Sequence, residues 1–209
     1  MKLAFIGIGN VGFAIANNLQ KNGYDVIIAH NDSNFESVQN AIAKNQNFKV
    51  LNIQQAVDIA DLIFLAIPFK AIEEIIKEIN FDGKTIIDCT NPIGAGFTHA
   101  LNSTISGSEK IQEWIPNATV VKAFTIYGFE NLDNSEYPNY SVKPVMMVAG
   151  NDVNVKQSFK PIVEAMGFEI LDTGKLDQAL HLEHLTLLWI KMVRRDGHSP
   201  NMVWALLEK

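Results

Sequence analysis

Residues 7–12 read Gly7-Ile8-Gly9-Asn10-Val11-Gly12, glycines in the spacing G-x-G-x-x-G. Between a strand and a helix, each of the three has a physical job. The first lets the chain turn tightly, the second lets the backbone approach an anion with no side chain in the way, and the third lets the helix pack close to the strand. The helix behind such a turn offers unpaired N–H groups and the positive end of its dipole. The chemistry predicted is capture of a dinucleotide's pyrophosphate by residues 7–12. A P-loop is excluded, because no Gly-Lys-Ser/Thr follows.

The surrounding elements give that turn its context. Residues 3–8 are an apolar run, and Val11, Ala14, Ile15 and Leu19 recur at helical spacing over residues 11–22, ahead of Gly23. A strand over Asp25–Ala29 follows, and Ser33 with Glu36 matches a capping box that would start a helix near Asn34. Phe48–Leu51, Leu62–Ala66 and Thr85–Cys89 read as further strands, with helices over Ile53–Ala60 and from Pro68 to about Ile79. Beyond these, Thr119–Val121, Val145–Val148 and Phe168–Leu171 read as strands, and Asn154–Met166 and Leu176–Val193 as helices. Strands alternating with helices of this length predict βαβ crossovers. Uninterrupted apolar strands such as Leu62-Ile63-Phe64-Leu65-Ala66-Ile67 predict a sheet covered on both faces. The expectation is therefore an α/β fold: a Rossmann-type doubly wound, mostly parallel sheet with helices on both faces, as one domain over residues 1–209.

Bulk properties narrow the partners. The 209 residues are 47% hydrophobic and 19% charged, as in a globular chain, with a net charge of −6. An acidic chain lacks the basic face that nucleic-acid binding requires, and the cluster Lys191, Arg194 and Arg195 reads as a solvated helix end. No apolar run approaches the ~18 residues of a membrane span. Met1-Lys2 leads directly into a strand, so no signal peptide is expected, and Cys89 as the sole cysteine excludes a disulfide framework. A cytoplasmic protein acting on a small molecule is the simplest expectation.

The choice of dinucleotide turns on the end of the second strand, about 20 residues after the turn. An NAD site places Asp or Glu there, and an NADP site favours Arg nearby. This chain has His30 and Asn31, followed by Asp32. Both can hydrogen-bond a phosphate, and the missing acid removes a repulsion against NADP, leaving NAD open as well.

Four stretches extend the pattern along most of the chain: Ile6-Gly7-Ile8-Gly9-Asn10-Val11-Gly12; Ala66-Ile67-Pro68; Ile87-Asp88-Cys89-Thr90-Asn91-Pro92-Ile93; and Val121-Lys122-Ala123-Phe124, with Gly128 shortly after. With Leu171–Leu176 and Glu183, Leu188, Trp189 and Ile190, they resemble the F420-dependent NADP oxidoreductases and related dinucleotide-binding reductases, a fold that also forms the cytosolic domain of the STEAP metalloreductases. The resemblance implies hydride transfer between NADP (NAD not excluded) and an acceptor such as coenzyme F420, a flavin or another small molecule. It also implies that Ala66, Ile67 and Pro68 border the cofactor, that Thr90, Asn91 and Pro92 line its nicotinamide end, and that Ala123 sits beside it. The chain departs from the family at Ile8, where many members carry Thr or Ser, at His30-Asn31 in place of Ser-Arg, and at Thr125 in place of Asn.

Hydride transfer between two cofactors needs positioning more than a protein acid or base, so no catalytic residue is assigned. Reduction of a carbonyl or imine would add a proton donor, for which Tyr127, His99 and Cys89 are the candidates by residue type, each with a packing role as its alternative. His181-Leu182-Glu183-His184 lacks metal-site spacing, and no metal is expected. Leu185, Leu188, Trp189 and Met192 form a stripe suited to a core or a homodimer interface. Two alternatives to the flavin-like reductase stay open: a non-catalytic redox-sensing module, and an imine reductase of the pyrroline-5-carboxylate reductase type.

Overall fold

Along the first strand, β1 (Lys2–Ile6), Leu3 and Phe5 point to one side while Ala4 and Ile6 point to the other, and all four are buried. The period of two follows from the pleat, and burial on both sides means that both faces are covered. In the computed structural model, which describes residues 1–209, the chain continues through α1 (Asn10–Lys21), β2 (Asp25–Ala29), α2 (Glu36–Lys44), β3 (Lys49–Leu51), α3 (Ile53–Ile59) and β4 (Leu62–Leu65). Then come α4 (Ile72–Ile76), β5 (Thr85–Asp88), α5 (Gly107–Trp114), β6 (Thr119–Lys122), α6 (Phe129–Asp133), β7 (Val145–Gly150), α7 (Val153–Ala165), β8 (Glu169–Asp172) and α8 (Ala179–Ile190).

The eight strands form one sheet in the order β3-β2-β1-β4-β5-β6-β7-β8. Neighbours from β3 to β6 run parallel; β7 turns antiparallel to β6, and β8 pairs parallel with β7. The fold is thus the Rossmann-type, mostly parallel α/β sheet expected. Direction of winding reverses between β1 and β4, and there the carboxyl ends of the strands diverge to leave the crevice in which such sheets bind ligands.

Two apolar layers hold the helices on. One packs α1, α2, α7 and α8 through Ile15, Val38, Phe159 and Leu182; the other packs α3, α4 and α5 through Val57, Ile72 and Ile111. Phe64 centres the first layer, stacked on Phe5 at 4.5 Å between ring centroids and tilted against Phe124 and Phe159.

Several local expectations shift. The Ser33–Glu36 capping box does not form. Asp32 Oδ1 instead accepts from the Asn34 N–H at 2.9 Å, an Asx turn that delays helix α2 to Glu36. The capping box that does form is Ser106–Glu109, which starts α5, a helix absent from the expected set. The segment after Pro68 is a short 3₁₀ turn at Phe69–Ala71 and then α4, ending at Ile76 rather than Ile79. The closing helix divides into a 3₁₀ turn (Leu176–Gln178), α8 and a π-helical turn (Lys191–Arg195).

Truncating Phe64 tests the first apolar layer. Phe64→Ala is expected to lower unfolding free energy by about 3–5 kcal/mol, read as a reduced urea midpoint with an unchanged slope.

Candidate functional site

At the end of β1, Gly7 adopts φ +99°, a left-handed conformation that side chains disfavour, and a Cβ there would lie 2.5 Å from the Ala66 carbonyl oxygen. A Cβ on Gly12 would lie 2.2 Å from the Gly7 carbonyl oxygen. Both glycines are therefore dictated by packing: they bring Gly7, Gly12, Ala66 and Ile67 together at the crevice between β1 and β4. Gly9 differs, because a Cβ there would meet nothing within 4 Å, and the residue is exposed. Ile8 is 4% exposed and packs into the core, so this position of the turn is apolar and turned inward.

Helix α1 begins with nothing to satisfy its first amides. Gly9 is its N-cap without a capping side chain, and no acidic residue lies in the first turn. Uncapped N–H groups at the start of a 12-residue helix are of the kind that can receive an anion. Beside the turn opens a cleft of about 290 Å³, lined by Gly9, Asn10, Phe13, Ser37 and Lys44 among others.

The end of β2 is more occupied than its sequence suggests. The His30 ring stacks on Phe35 at 4.8 Å, and its Nδ1 lies 2.7 Å from the Asp32 carbonyl oxygen. Asn31 Oδ1 accepts from the Ile53 N–H at 3.1 Å, which ties the end of β2 to the start of α3. Only the outward edges of these side chains remain for a ligand.

At the ends of β5 and β6, Thr90, Asn91, Pro92 and Ala123 follow in adjacent strands. Thr90 and Pro92 are buried, and Ala123 is fully buried in the core with its N–H bonded to the Asp88 carbonyl. The Ala123 side chain thus supports this end of the crevice from beneath instead of facing it. Two polar atoms here are buried without a partner, Asn91 Oδ1 and Thr125 Oγ1. Phe124, next to Thr125, holds φ +59°, an unusual left-handed backbone for a bulky residue, while its N–H points to Met146 Sδ at 3.3 Å.

Directly beneath Thr90 lies a charge cluster whose members are far apart in the sequence. Lys122, fully buried, donates to Asp88 Oδ2 at 3.0 Å, to Glu183 Oε1 at 2.9 Å and to the Thr90 carbonyl at 2.6 Å. Asp88 also accepts from the Thr90 N–H and hydroxyl and from Ser108 Oγ. Glu183 also accepts from the Gly107 N–H, at the start of α5, and from His99 Nε2 at 2.8 Å. Burial pushes the Lys122 ammonium down, but Asp88 and Glu183 more than offset it and hold it above the ordinary lysine value. One sequence signal could have found this cluster: Asp88 and Lys122 end strands that are covered on both faces, where an unpaired charge is too costly to leave.

The three proton-donor candidates are all engaged. The Tyr127 hydroxyl bonds the Val145 and Trp204 carbonyls, its ring stacks on Phe168, and burial pushes its ionisation upward. Burial, with Asp88 nearby, also raises Cys89, whose thiol lies 3.6 Å from the Ile87 carbonyl. His99 belongs to the cluster. In the His181–His184 segment, Glu183 turns inward while His184 stays exposed against Ser103 Oγ. Arg194 and Arg195 pair with Glu130 and Asp196 at a solvated helix end, and Trp189 is buried while Leu188 is exposed.

Residues 2–92 match the family described as NADP oxidoreductase coenzyme F420-dependent. The resemblance to that family is borne out. Over 190 residues the chain is 24% identical to rat metalloreductase STEAP3, covering 89% of this chain and 36% of that protein. Over 92 residues it is 32% identical to a glycerol-3-phosphate dehydrogenase [NAD(P)+] of Staphylococcus carnosus, covering 38% of this chain and 27% of the enzyme. The chain therefore spans about a third of the length of the curated relatives it matches. A solved structure from Arthrobacter sp. FB24, provisionally named an F420-dependent NADP reductase, superposes with a TM-score of 0.77 at 23% identity, covering 94% of this chain and 95% of that one. This match shows a shared fold. The matched family is one of NAD(P)-dependent oxidoreductases, and no helix here is long and apolar enough to cross a membrane.

Lys122→Met leaves two buried carboxylates facing each other. It is expected to destabilise the fold by about 3–5 kcal/mol, measured by urea unfolding.

Proposed function

We propose that the chain binds NADP(H) across the crevice between β1 and β4 and positions it for hydride transfer to a flavin, a deazaflavin of the F420 type or a similar acceptor. In this reading the Gly9 and Asn10 backbone and the start of α1 hold the pyrophosphate. The outward edges of His30 and Asn31 face the adenosine ribose, where no carboxylate at the strand end opposes a 2′-phosphate. Ala66, Ile67 and Pro68 flank the cofactor, and Thr90, Asn91 and Pro92 border the nicotinamide, with Ala123 and Phe124 beneath. The residues fit such a group: the helix start is uncapped, Gly9 opens on empty space, and Asn91 Oδ1 and Thr125 Oγ1 are buried polar atoms awaiting partners.

Bound NADPH supplies a hydride and is left as a cationic nicotinamide. The chain's own residues bind, orient and keep water out. One observation favours a flavin-like acceptor over a carbonyl or imine: Tyr127, His99 and Cys89 are each committed to internal hydrogen bonds. An acceptor that takes up hydride without a protein proton suits such a site.

Two measurements test this reading. NADPH oxidation followed by nicotinamide absorbance is expected with a deazaflavin or flavin and absent with a cyclic imine. Turnover with the imine alone would overturn the assignment of acceptor. Gly9→Ala is expected to fold within about 1 kcal/mol of the parent yet lose at least about tenfold in NADPH affinity by calorimetry, because its methyl group faces the ligand. Undiminished affinity would remove the pyrophosphate from this turn.

A further inference from the structure

The hydrogen bonds of the buried cluster fix its charge. Asp88 receives four donors: the Thr90 N–H, the Thr90 hydroxyl, Ser108 Oγ and Lys122 Nζ. Glu183 receives Lys122 Nζ, the Gly107 N–H and His99 Nε2. Carboxyl groups surrounded by donors are carboxylates. His99 has its protonation assigned by its other nitrogen: Nδ1 accepts from the Leu101 and Ser103 N–H groups at 3.3 and 3.2 Å, so it carries no hydrogen. The proton is then on Nε2, where it faces Glu183, and the ring is neutral. All three Lys122 hydrogens are used, on Asp88, Glu183 and the Thr90 carbonyl. Two carboxylates thus face one ammonium. The N-terminal end of α5, through Gly107, offsets part of the excess, and Cys89, pushed up by burial, stays a neutral thiol.

We propose that this surplus negative charge, sealed beneath Thr90 and Asn91, favours the oxidised, cationic form of a nicotinamide bound there and so biases the site toward giving up hydride. Asp88 and Glu183 are positioning residues that act through the field and through Thr90, without touching the cofactor, and His99 holds Glu183 in place. The two redox forms of the cofactor differ by one unit of charge, so a fixed charge nearby separates their affinities. Burial keeps the effect from being screened, because salt reaches exposed charges far more than enclosed ones. The inference rests on the nicotinamide lying at the β5 and β6 ends, as in the function proposed above.

The test is calorimetric and needs no turnover. Dissociation constants for NADP+ and NADPH are measured for the parent chain, for Glu183→Gln and Asp88→Asn, and for Ser108→Ala. The last removes a hydrogen bond from Asp88 and keeps the charge. In each neutralising variant, the ratio of the NADP+ constant to the NADPH constant is expected to rise about ten- to twentyfold, the size of one unit charge acting over ~10 Å at an effective dielectric constant of ~20. In Ser108→Ala the ratio stays at the parent value even if both affinities fall. Equal losses for both forms in the neutralising variants would overturn the proposal and leave the cluster a structural clamp. Should neither variant fold, the parent chain decides: NADP+ is expected to bind at least as tightly as NADPH, at low and high salt alike, and a tenfold preference for NADPH would overturn it. Failure of the parent to bind either form would overturn the dinucleotide function itself, a separate outcome.

Discussion

Lys122 carries a full positive charge where no solvent reaches, and two strand ends and two helices are arranged around it. Its three hydrogen bonds join Asp88 and the Thr90 carbonyl, at the end of β5, to Glu183 on α8. Glu183 in turn grips the first amide of α5, and His99 binds the loop between β5 and α5 to the same carboxylate. Buried ion pairs add little net stability compared with apolar packing, yet removing one member is severe. The arrangement therefore acts less as a reserve of stability than as a demand: the segment 88–107, β6 and α8 must come together in one geometry for any of these charges to be tolerated. The turn at Thr90-Asn91-Pro92 is held by that demand.

The other half of the crevice obeys a steric rule. Gly7 and Gly12 permit the close approach of α1, the end of β1 and Ala66, and no side chain fits between them. Gly9 sits apart from that contact, free of packing, at the uncapped start of α1. Two regions prepared by different physics, a glycine-tight helix start and a charge-clamped pair of strand ends, thus flank the crevice where the winding of the sheet reverses.

Much of this was legible in the sequence because it depends on local pattern. Apolar runs along β1, β2 and β4 and the glycine spacing marked the core strands and the turn, and the alternation of strands with helices pointed to a mostly parallel sheet, while the strand order emerges only in the fold. What escaped depends on distant partners or on competition between local motifs. The Ser33–Glu36 capping box lost to the Asx turn of Asp32, while Ser106–Glu109 formed one in a segment with little apolar periodicity. The antiparallel setting of β7 leaves no trace in its apolar run. Ala123, which family resemblance set beside the cofactor, is fully enclosed. The charge cluster draws Asp88, Lys122 and Glu183 from points up to 95 residues apart, a juxtaposition that only the folded chain creates.

If the proposed function holds, one dinucleotide spans both regions. A crystal structure of the protein with NADP+ tests it most directly. Pyrophosphate oxygens are expected within hydrogen-bond distance of the Gly9 and Asn10 amides, and the nicotinamide ring against Asn91 and Phe124, its carboxamide pairing Asn91 Oδ1. A dinucleotide bound away from the Gly7–Gly12 turn, or one whose nicotinamide lies outside the Thr90–Pro92 edge, would contradict it.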